Sequence, residues 1–110
     1  MSAPPIPGVM VGGFAFSSPL PLVLAPGAFR YWTGIYVIAR QDAGGLTLID
    51  VGESINVGDR VGSHDRRGCW HLSSFGNPLV VSVHIETIES ERLRKEFIIR
   101  DYFRPPCGVR

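Results

Sequence analysis

The feature that most constrains the fold is a pair of β-forming segments joined by a short glycine-containing turn. Residues 34–40 (GIYVIAR) and 46–51 (LTLIDV) are rich in β-branched and aromatic side chains, which favour extended backbone. The linking residues QDAGG are typical of the turn that closes a β-hairpin. The sequence therefore predicts two adjacent antiparallel strands, and the run LVVSVHI at 79–85 predicts a third.

Two helices are predicted in the same half of the chain. The first begins at Glu53 or Ser54, directly after the second strand, and ends near Asp65. Residues 66–78 are then predicted to form a loop, because they combine polar side chains with glycine and end in proline.

The second helix begins near Glu89 and ends before Pro105, because proline cannot continue a helix. The predicted order is β-β-α-β-α. This order indicates an α+β fold in which a small three-stranded antiparallel sheet is flanked by helices.

The first part of the chain differs in composition from the rest. Six of the nine prolines precede Arg30, which is the first charged residue. Proline prevents a long helix, yet the segment is too apolar for a free linker. We predict an extended arm of residues 1–32 packed on a domain of residues 33–110, with a short strand within residues 9–16. The alternative is an arm that binds a protein partner or a second copy of the chain.

The overall charge and hydropathy argue against some classes of protein. A net charge of +1 gives no global basic field of the kind that attracts nucleic acid. No apolar run reaches the roughly 18–20 residues that a membrane span requires. The prolines near the start do not fit a signal peptide. We therefore expect a cytoplasmic protein with no membrane partner.

The two cysteines, Cys69 and Cys107, are too few for a zinc module with paired short spacings. A disulfide between them stays open from the sequence. Reduced thiols are the expectation for a cytoplasmic protein.

Three positions carry side chains that suit chemistry on a phosphate. Arg60 and His64 are four residues apart in the first predicted helix, and so share one face. Arginine can hold a phosphate through two parallel hydrogen bonds, and imidazole can position or transfer a proton near neutral pH. The alternative is a solvated face on which Arg60 pairs with a carboxylate. Tyr36, in the middle of a strand, is either a packing residue or an acid–base group.

Glu96 is a carboxylate on the apolar face of the last predicted helix, with Leu93, Ile99 and Phe103 around it. Such a side chain lies at the rim of an apolar face, belongs to a buried ion pair, or binds a metal ion.

Together these residues resemble the GIY-YIG nuclease domain. The resemblance extends from Thr33 to Gly108 and agrees with the predicted β-β-α-β-α order. It rests on Gly34-Ile35-Tyr36 at the first motif, Asp50-Val51-Gly52 at the second, Arg60, His64, Glu96, and the turn Pro105-Pro106-Cys107-Gly108.

The resemblance implies an endonuclease that hydrolyses DNA phosphodiester bonds with the help of a metal ion. Glu96 would bind Mg²⁺ or Mn²⁺, which polarises the phosphate. Arg60 would neutralise charge on the phosphoryl oxygens. Tyr36 would help to activate the attacking water, and His64 would assist proton transfer. The expected substrate is DNA, with branched and damaged DNA among the forms to test.

Two positions depart from the family pattern. Asp50 stands where the family has its second tyrosine, and Gly108 stands where it usually has asparagine. Asp50 can act as a base or an additional metal ligand, and it can equally repel the phosphate or face elsewhere. We therefore expect an endonuclease of reduced activity. The alternatives are a catalytically degenerate module that binds nucleic acid or a protein partner, and an assembly protein that uses residues 1–30.

Overall fold

The observed helices and strands agree more closely with the predicted ones in the second half of the chain than in the first. The structure, a computed structural model, describes residues 8–108. Its elements are β1 (Val9–Val11), β2 (Phe14–Phe16), β3 (Leu20–Pro21), α1 (Ala25–Ala28), β4 (Gly34–Asp42), β5 (Gly45–Ser54), α2 (Val57–Gly62), α3 (Arg67–Leu72), β6 (Leu79–Ile85) and α4 (Glu89–Phe103).

The main sheet has four antiparallel strands in the order β3-β6-β4-β5, and β1 pairs with β2 in a separate hairpin. The predicted α+β class is confirmed. The predicted number of three strands is wrong, because Leu20 pairs with Val81 and Pro21 with Val80 to add a short fourth strand. This strand lies at the sheet edge, where a proline without an N–H group is tolerated.

The N-terminal segment is more structured than the extended arm that the sequence predicts. From residue 8 onward it forms a hairpin, an edge strand and the four-residue helix α1. Leu22, Ala25 and Phe29 are buried in the main core, so this segment helps to form the domain interior. The part of the predicted arm before residue 8 lies outside the described residues, and the domain boundary at residue 32 stays a prediction.

The first predicted helix is also corrected. Strand β5 continues through Glu53 and Ser54, which pair with the first residues of β4. Helix α2 begins only after Asn56, whose side chain caps it by accepting a hydrogen bond from the backbone N–H of Asp59 at 3.2 Å. Helix α3 occupies part of the predicted loop, because Trp70 is fully buried and holds that segment against the core.

The sheet is covered on both faces. Because side chains alternate along a strand, Tyr36 and Ile38 of β4 face a core shared with α1, α2 and α3. Ile35 and Val37 face a second core, which Ile99 of α4 and the β1–β2 hairpin complete. Tyr36 therefore lies on the face that carries α2 and α3.

Cys69 and Cys107 form a disulfide, so the predicted reduced thiols are wrong. The bond forms because α3 packs beside the C-terminal turn, where the backbone N–H of Cys107 also donates to the carbonyl of Ile49. No helix within residues 8–108 is long and apolar enough to cross a membrane. The cytoplasmic location stays a prediction.

Candidate active site

Tyr36 lies at the centre of the candidate site and is buried in the middle of β4. Gly52 is its direct partner on β5, and the phenol ring crosses over this glycine. A Cβ added to Gly52 would overlap the hydroxyl oxygen and Cζ of Tyr36. The glycine of the second motif is therefore the residue that leaves space for the tyrosine of the first.

Four charged side chains act on the Tyr36 hydroxyl. Burial raises the pKa of Tyr36 above its usual value. The positive charges of Arg60 and Arg66 lower this pKa, whereas the negative charges of Asp50 and Glu96 raise it. The net effect is a rise, so the phenol is protonated at neutral pH. The four groups belong to α2, β5, the residue before α3, and α4.

His64 lies between α2 and α3, because α2 ends at Gly62. The sequence predicts that His64 shares a helical face with Arg60. This prediction is wrong, because His64 lies beyond the end of α2. His64 is only 4% exposed. The imidazole ring is edge-on to the ring of Tyr36, with centroids 6.0 Å apart, and is 4.7 Å from the ring of Trp70. The structure thus brings His64 to Tyr36 through a turn rather than a helix.

The hydrogen bonds of His64 fix the position of its ring proton. The backbone N–H of Arg66 donates to Nδ1 at 3.0 Å, so Nδ1 is an acceptor and the proton belongs on Nε2. The carboxylate of Asp65 is 3.1 Å from the same Nδ1, but this contact is no ion pair while the ring is neutral. Within residues 8–108 the buried Nε2 has no hydrogen-bond partner. His64 thus has a buried donor without a partner among the described residues.

The environment of His64 keeps its ring neutral. Burial, followed by the positive charges of Arg60 and Arg66, lowers the pKa of His64 to about 4, while Asp50 and Asp65 raise it by less. At neutral pH the side chain is therefore a neutral hydrogen-bond donor.

Arg60 is the most accessible of the predicted site residues discussed so far. Its side chain is 41% exposed, and its Nη2 atom lies 3.4 Å from the carboxylate of Asp65. Because Asp65 is itself largely exposed, this pair is weak. The guanidinium can therefore exchange Asp65 for a phosphate at low cost.

Glu96 is half-buried on α4, between the exposed Leu93 and the buried Ile99. Its carboxylate is close enough to act on the Tyr36 hydroxyl. Among the described residues no group of three or more His, Cys, Asp or Glu side chains is arranged to bind a metal ion. A metal ion at Glu96 would therefore take its other ligands from water and substrate.

Asp50 is fully buried and faces the interior. One carboxylate oxygen accepts from the backbone N–H of Val51 at 2.8 Å and from Arg100 at 3.0 Å. The other accepts from Arg66 Nε and Trp70 Nε1, both at 2.8 Å. Because these donors occupy the carboxylate, Asp50 is not available as a base or a metal ligand. It joins β5 to α3 and α4.

Sequence reasoning missed the partners of Asp50. Arg66 and Trp70 fall in the predicted loop, and Arg100 lies in the last predicted helix, 50 residues from Asp50. The available signal was Asp50 itself, because a carboxylate at the position of a buried aromatic residue needs cationic partners.

Comparisons of the chain with family models, with curated proteins and with solved structures find no match. The resemblance to the GIY-YIG domain therefore rests on the motif residues alone and stays a prediction. What the structure adds is the contact between the rings of His64 and Tyr36, and the effect of Arg60 and Glu96 on the pKa of Tyr36.

Proposed function

We propose that this protein is a metal-dependent endonuclease that hydrolyses DNA phosphodiester bonds. One observation carries the proposal: a buried phenol of β4 meets an imidazole edge-on, and the pKa of that phenol is shifted by a guanidinium and a carboxylate from other parts of the chain. These groups are Tyr36, His64, Arg60 and Glu96. Together they supply the hydrogen bonds and charges that hydrolysis of a phosphodiester requires.

Each side chain has a role that follows from its state. Arg60 is exposed enough to bind the phosphoryl oxygens and to offset the charge that builds on them. Tyr36 is a protonated phenol, so it orients the attacking water by hydrogen bonding rather than acting as a phenolate base. His64 is neutral, and its Nε2–H is buried, so it would donate to the water only after the side chains around it move.

A divalent cation fits the single carboxylate of Glu96. Mg²⁺ binds through one or two carboxylates, retains several water molecules and completes its coordination with substrate phosphate oxygens, and Mn²⁺ can replace it. When bound, the cation would polarise the phosphate and stabilise the leaving oxygen. Glu96 is half-buried beside the site, where a carboxylate can meet both the cation and the substrate.

The test is incubation of the purified protein with supercoiled, linear and branched DNA in Mg²⁺ or Mn²⁺. We expect nicking that requires the metal ion and is lost in Glu96→Gln. The matched control is Glu91→Gln, on the same helix, where the carboxylate pairs on the surface with Arg94 at 2.9 Å. Absence of nicking by the wild-type protein, or equal nicking by Glu96→Gln, would contradict the proposal.

A second candidate function is a module that binds DNA without cutting it. The observation that favours it is the burial of Asp50, which leaves the site without the second phenol of the family. Salt-dependent DNA binding with no detectable nicking in either metal ion would support this alternative. Nicking that disappears in Arg60→Ala would exclude it.

A further inference from the structure

Arg66 is the second guanidinium that reaches the candidate site. Its Nε donates to Asp50 at 2.8 Å, and its Nη2 donates more weakly to the other oxygen of Asp50 at 3.4 Å. The side chain is nevertheless 31% exposed. Among the described residues its Nη1 has no hydrogen-bond partner. One edge of the guanidinium is therefore fixed by Asp50, and the other is available to a ligand.

Arg100 also pairs with Asp50 but has no such freedom. Its side chain is 10% exposed. Its Nη1 donates to the carbonyls of Cys107 and Gly108, and its Nη2 donates to Asp50 and to the carbonyl of Val51. Arg100 thus holds the C-terminal turn in place. Two guanidinium groups share the carboxylate of Asp50, and Arg66 is the more exposed of the two.

Gly108 provides the space that Arg66 needs. A Cβ added to Gly108 would lie 2.9 Å from Cζ of Arg66 and 2.8 Å from Nη1 of Arg100. The asparagine that the family usually has at this position would therefore collide with both guanidinium groups. The two departures from the family pattern, Asp50 and Gly108, meet at Arg66: the first holds its side chain and the second makes room for it.

The backbone of Arg66 links this side chain to the imidazole of the site. Its N–H donates to Nδ1 of His64 at 3.0 Å, which leaves the Nε2 proton of His64 as the available donor. Residue 66 thus orients His64 through its backbone while Asp50 orients its guanidinium.

We propose that Arg66 is a substrate-binding residue that contacts a DNA phosphate in addition to Arg60, and that Asp50 is its positioning residue. The inference rests on the proposed nucleic-acid function. Where the nuclease family has a second tyrosine, this chain would then use the buried carboxylate of Asp50 together with the guanidinium of Arg66. A planar guanidinium with one edge already fixed loses little freedom when it binds a phosphate.

The test is the salt dependence of binding to a fluorescent branched DNA, with Ca²⁺ replacing Mg²⁺. Each phosphate contact contributes about 0.9 to the slope of log affinity against log salt. We expect Arg66→Gln to lower the slope by about that amount and Arg66→Lys to retain it. The matched control is Arg67→Gln, because Arg67 is the next arginine in the chain and donates to the carbonyl of Val61 instead of Asp50. It is expected to keep the wild-type slope.

The outcomes separate this inference from the proposed function. An unchanged slope in Arg66→Gln, or an equal loss in Arg67→Gln, overturns the inference even if the wild-type protein cuts DNA. A lower slope in Arg66→Gln alone supports it even if nothing is cut, and only the nuclease function then fails. No DNA binding by the wild-type protein overturns both.

A second measurement uses the wild-type protein, so it does not depend on the folding of a variant. The Nε–H of Arg66 is held at 2.8 Å from Asp50 and can be followed by ¹H–¹⁵N NMR. We expect its resonance to shift when DNA is added. The Nε–H of Arg40, which pairs with Asp42 at 3.3 Å near the β4–β5 turn, is the internal control and is expected to stay in place. An unchanged Arg66 resonance at saturating DNA overturns the inference.

Discussion

The hydroxyl of Tyr36 lies directly against the Cα of Gly52, its partner across β4 and β5, with no room for a methyl group between them. Tyr36 and Gly52 therefore form one packing arrangement, in which the glycine leaves the space that the phenol fills. A larger residue at position 52 must displace the phenol, because both strands lie within the sheet and are held by the same ladder of hydrogen bonds.

We predict that Gly52→Ala destabilises the protein by about 1–3 kcal/mol, which is the usual cost of overpacking a core. The measurement is chemical unfolding followed by circular dichroism. The matched control is Gly68→Ala in α3, where an added Cβ meets nothing within 4 Å. There the better helix propensity of alanine is expected to leave stability unchanged or raise it by up to about 1 kcal/mol. A fully stable Gly52→Ala protein would contradict the packing described here.

The substitution Tyr36→Phe removes the hydroxyl and keeps the aromatic ring, so it distinguishes the role of one from that of the other. The ring fills the core between the sheet and α2, so its retention should keep the free energy of unfolding within about 1.5 kcal/mol of wild type. If Tyr36 orients the attacking water, loss of the hydroxyl should lower the rate of DNA nicking by about 10²-fold or more. The measurements are unfolding and a single-turnover nicking assay on the same preparation. A stable variant that nicks at the wild-type rate would remove Tyr36 from the mechanism.

The sequence predicts most of the sheet and the last helix, because their patterns are local. Strand β6 matches its predicted bounds, and the β-rich runs on either side of residues 41–45 form the expected hairpin. Helix α3 could not be predicted in the same way. It is short, and it is held by the burial of Trp70 and by the indole hydrogen bond to Asp50, a residue twenty positions away. Long-range contacts of this kind leave no periodic pattern in the sequence.

The same distinction applies to the candidate site. Tyr36, Arg60 and Glu96 could be picked out because their residue types and order follow a known motif. The role of Arg66 could not, because it depends on Asp50 and Gly108, which approach it from opposite ends of the domain sequence. A residue that departs from a motif can be recognised in the sequence. The residues that compensate for it are known only from the tertiary contacts.

Tyrosine at position 50, the residue of the nuclease family that the chain resembles, is predicted to destabilise the protein rather than to improve it. Asp50→Tyr removes the charge partner of the buried Arg100, and breaking a buried ion pair costs about 3–5 kcal/mol. Asp50→Asn keeps the shape and part of the hydrogen bonding, so we expect a smaller loss. The exposed Asp101→Asn is the control, expected within about 0.5 kcal/mol of wild type. An Asp50→Tyr protein as stable as wild type would show that the buried network contributes little.

The disulfide between Cys69 and Cys107 is predicted to stabilise the fold by closing a long loop. With a sequence separation of 38 residues, the loop-closure entropy corresponds to about 3–4 kcal/mol. We expect a reducing agent to lower the urea midpoint of the wild-type protein and to leave that of the Cys69→Ser/Cys107→Ser variant unchanged. A thiol assay that finds two free thiols in the air-oxidised native protein would be inconsistent with the bond.

The buried His64 makes stability depend on pH in a defined window. Its pKa is lowered to about 4 in the folded protein by burial and by the nearby Arg60 and Arg66, against about 6.5 in the unfolded chain. Between these values the unfolded chain binds a proton that the folded protein does not. The free energy of unfolding should therefore fall as the pH decreases from about 6.5 to about 4, by up to about 1.4 kcal/mol per pH unit from this group.

The variant His64→Gln removes this contribution, so the difference in unfolding free energy between wild type and variant should shrink steadily as the pH falls through that window. The exposed His71 offers the control, because His71→Gln removes the same ring without removing a buried one. Urea unfolding at pH 7, 6, 5 and about 4.5 measures the effect. A constant difference between wild type and His64→Gln across these pH values would mean that folding does not lower the pKa of His64, and it would contradict the buried, neutral ring described here.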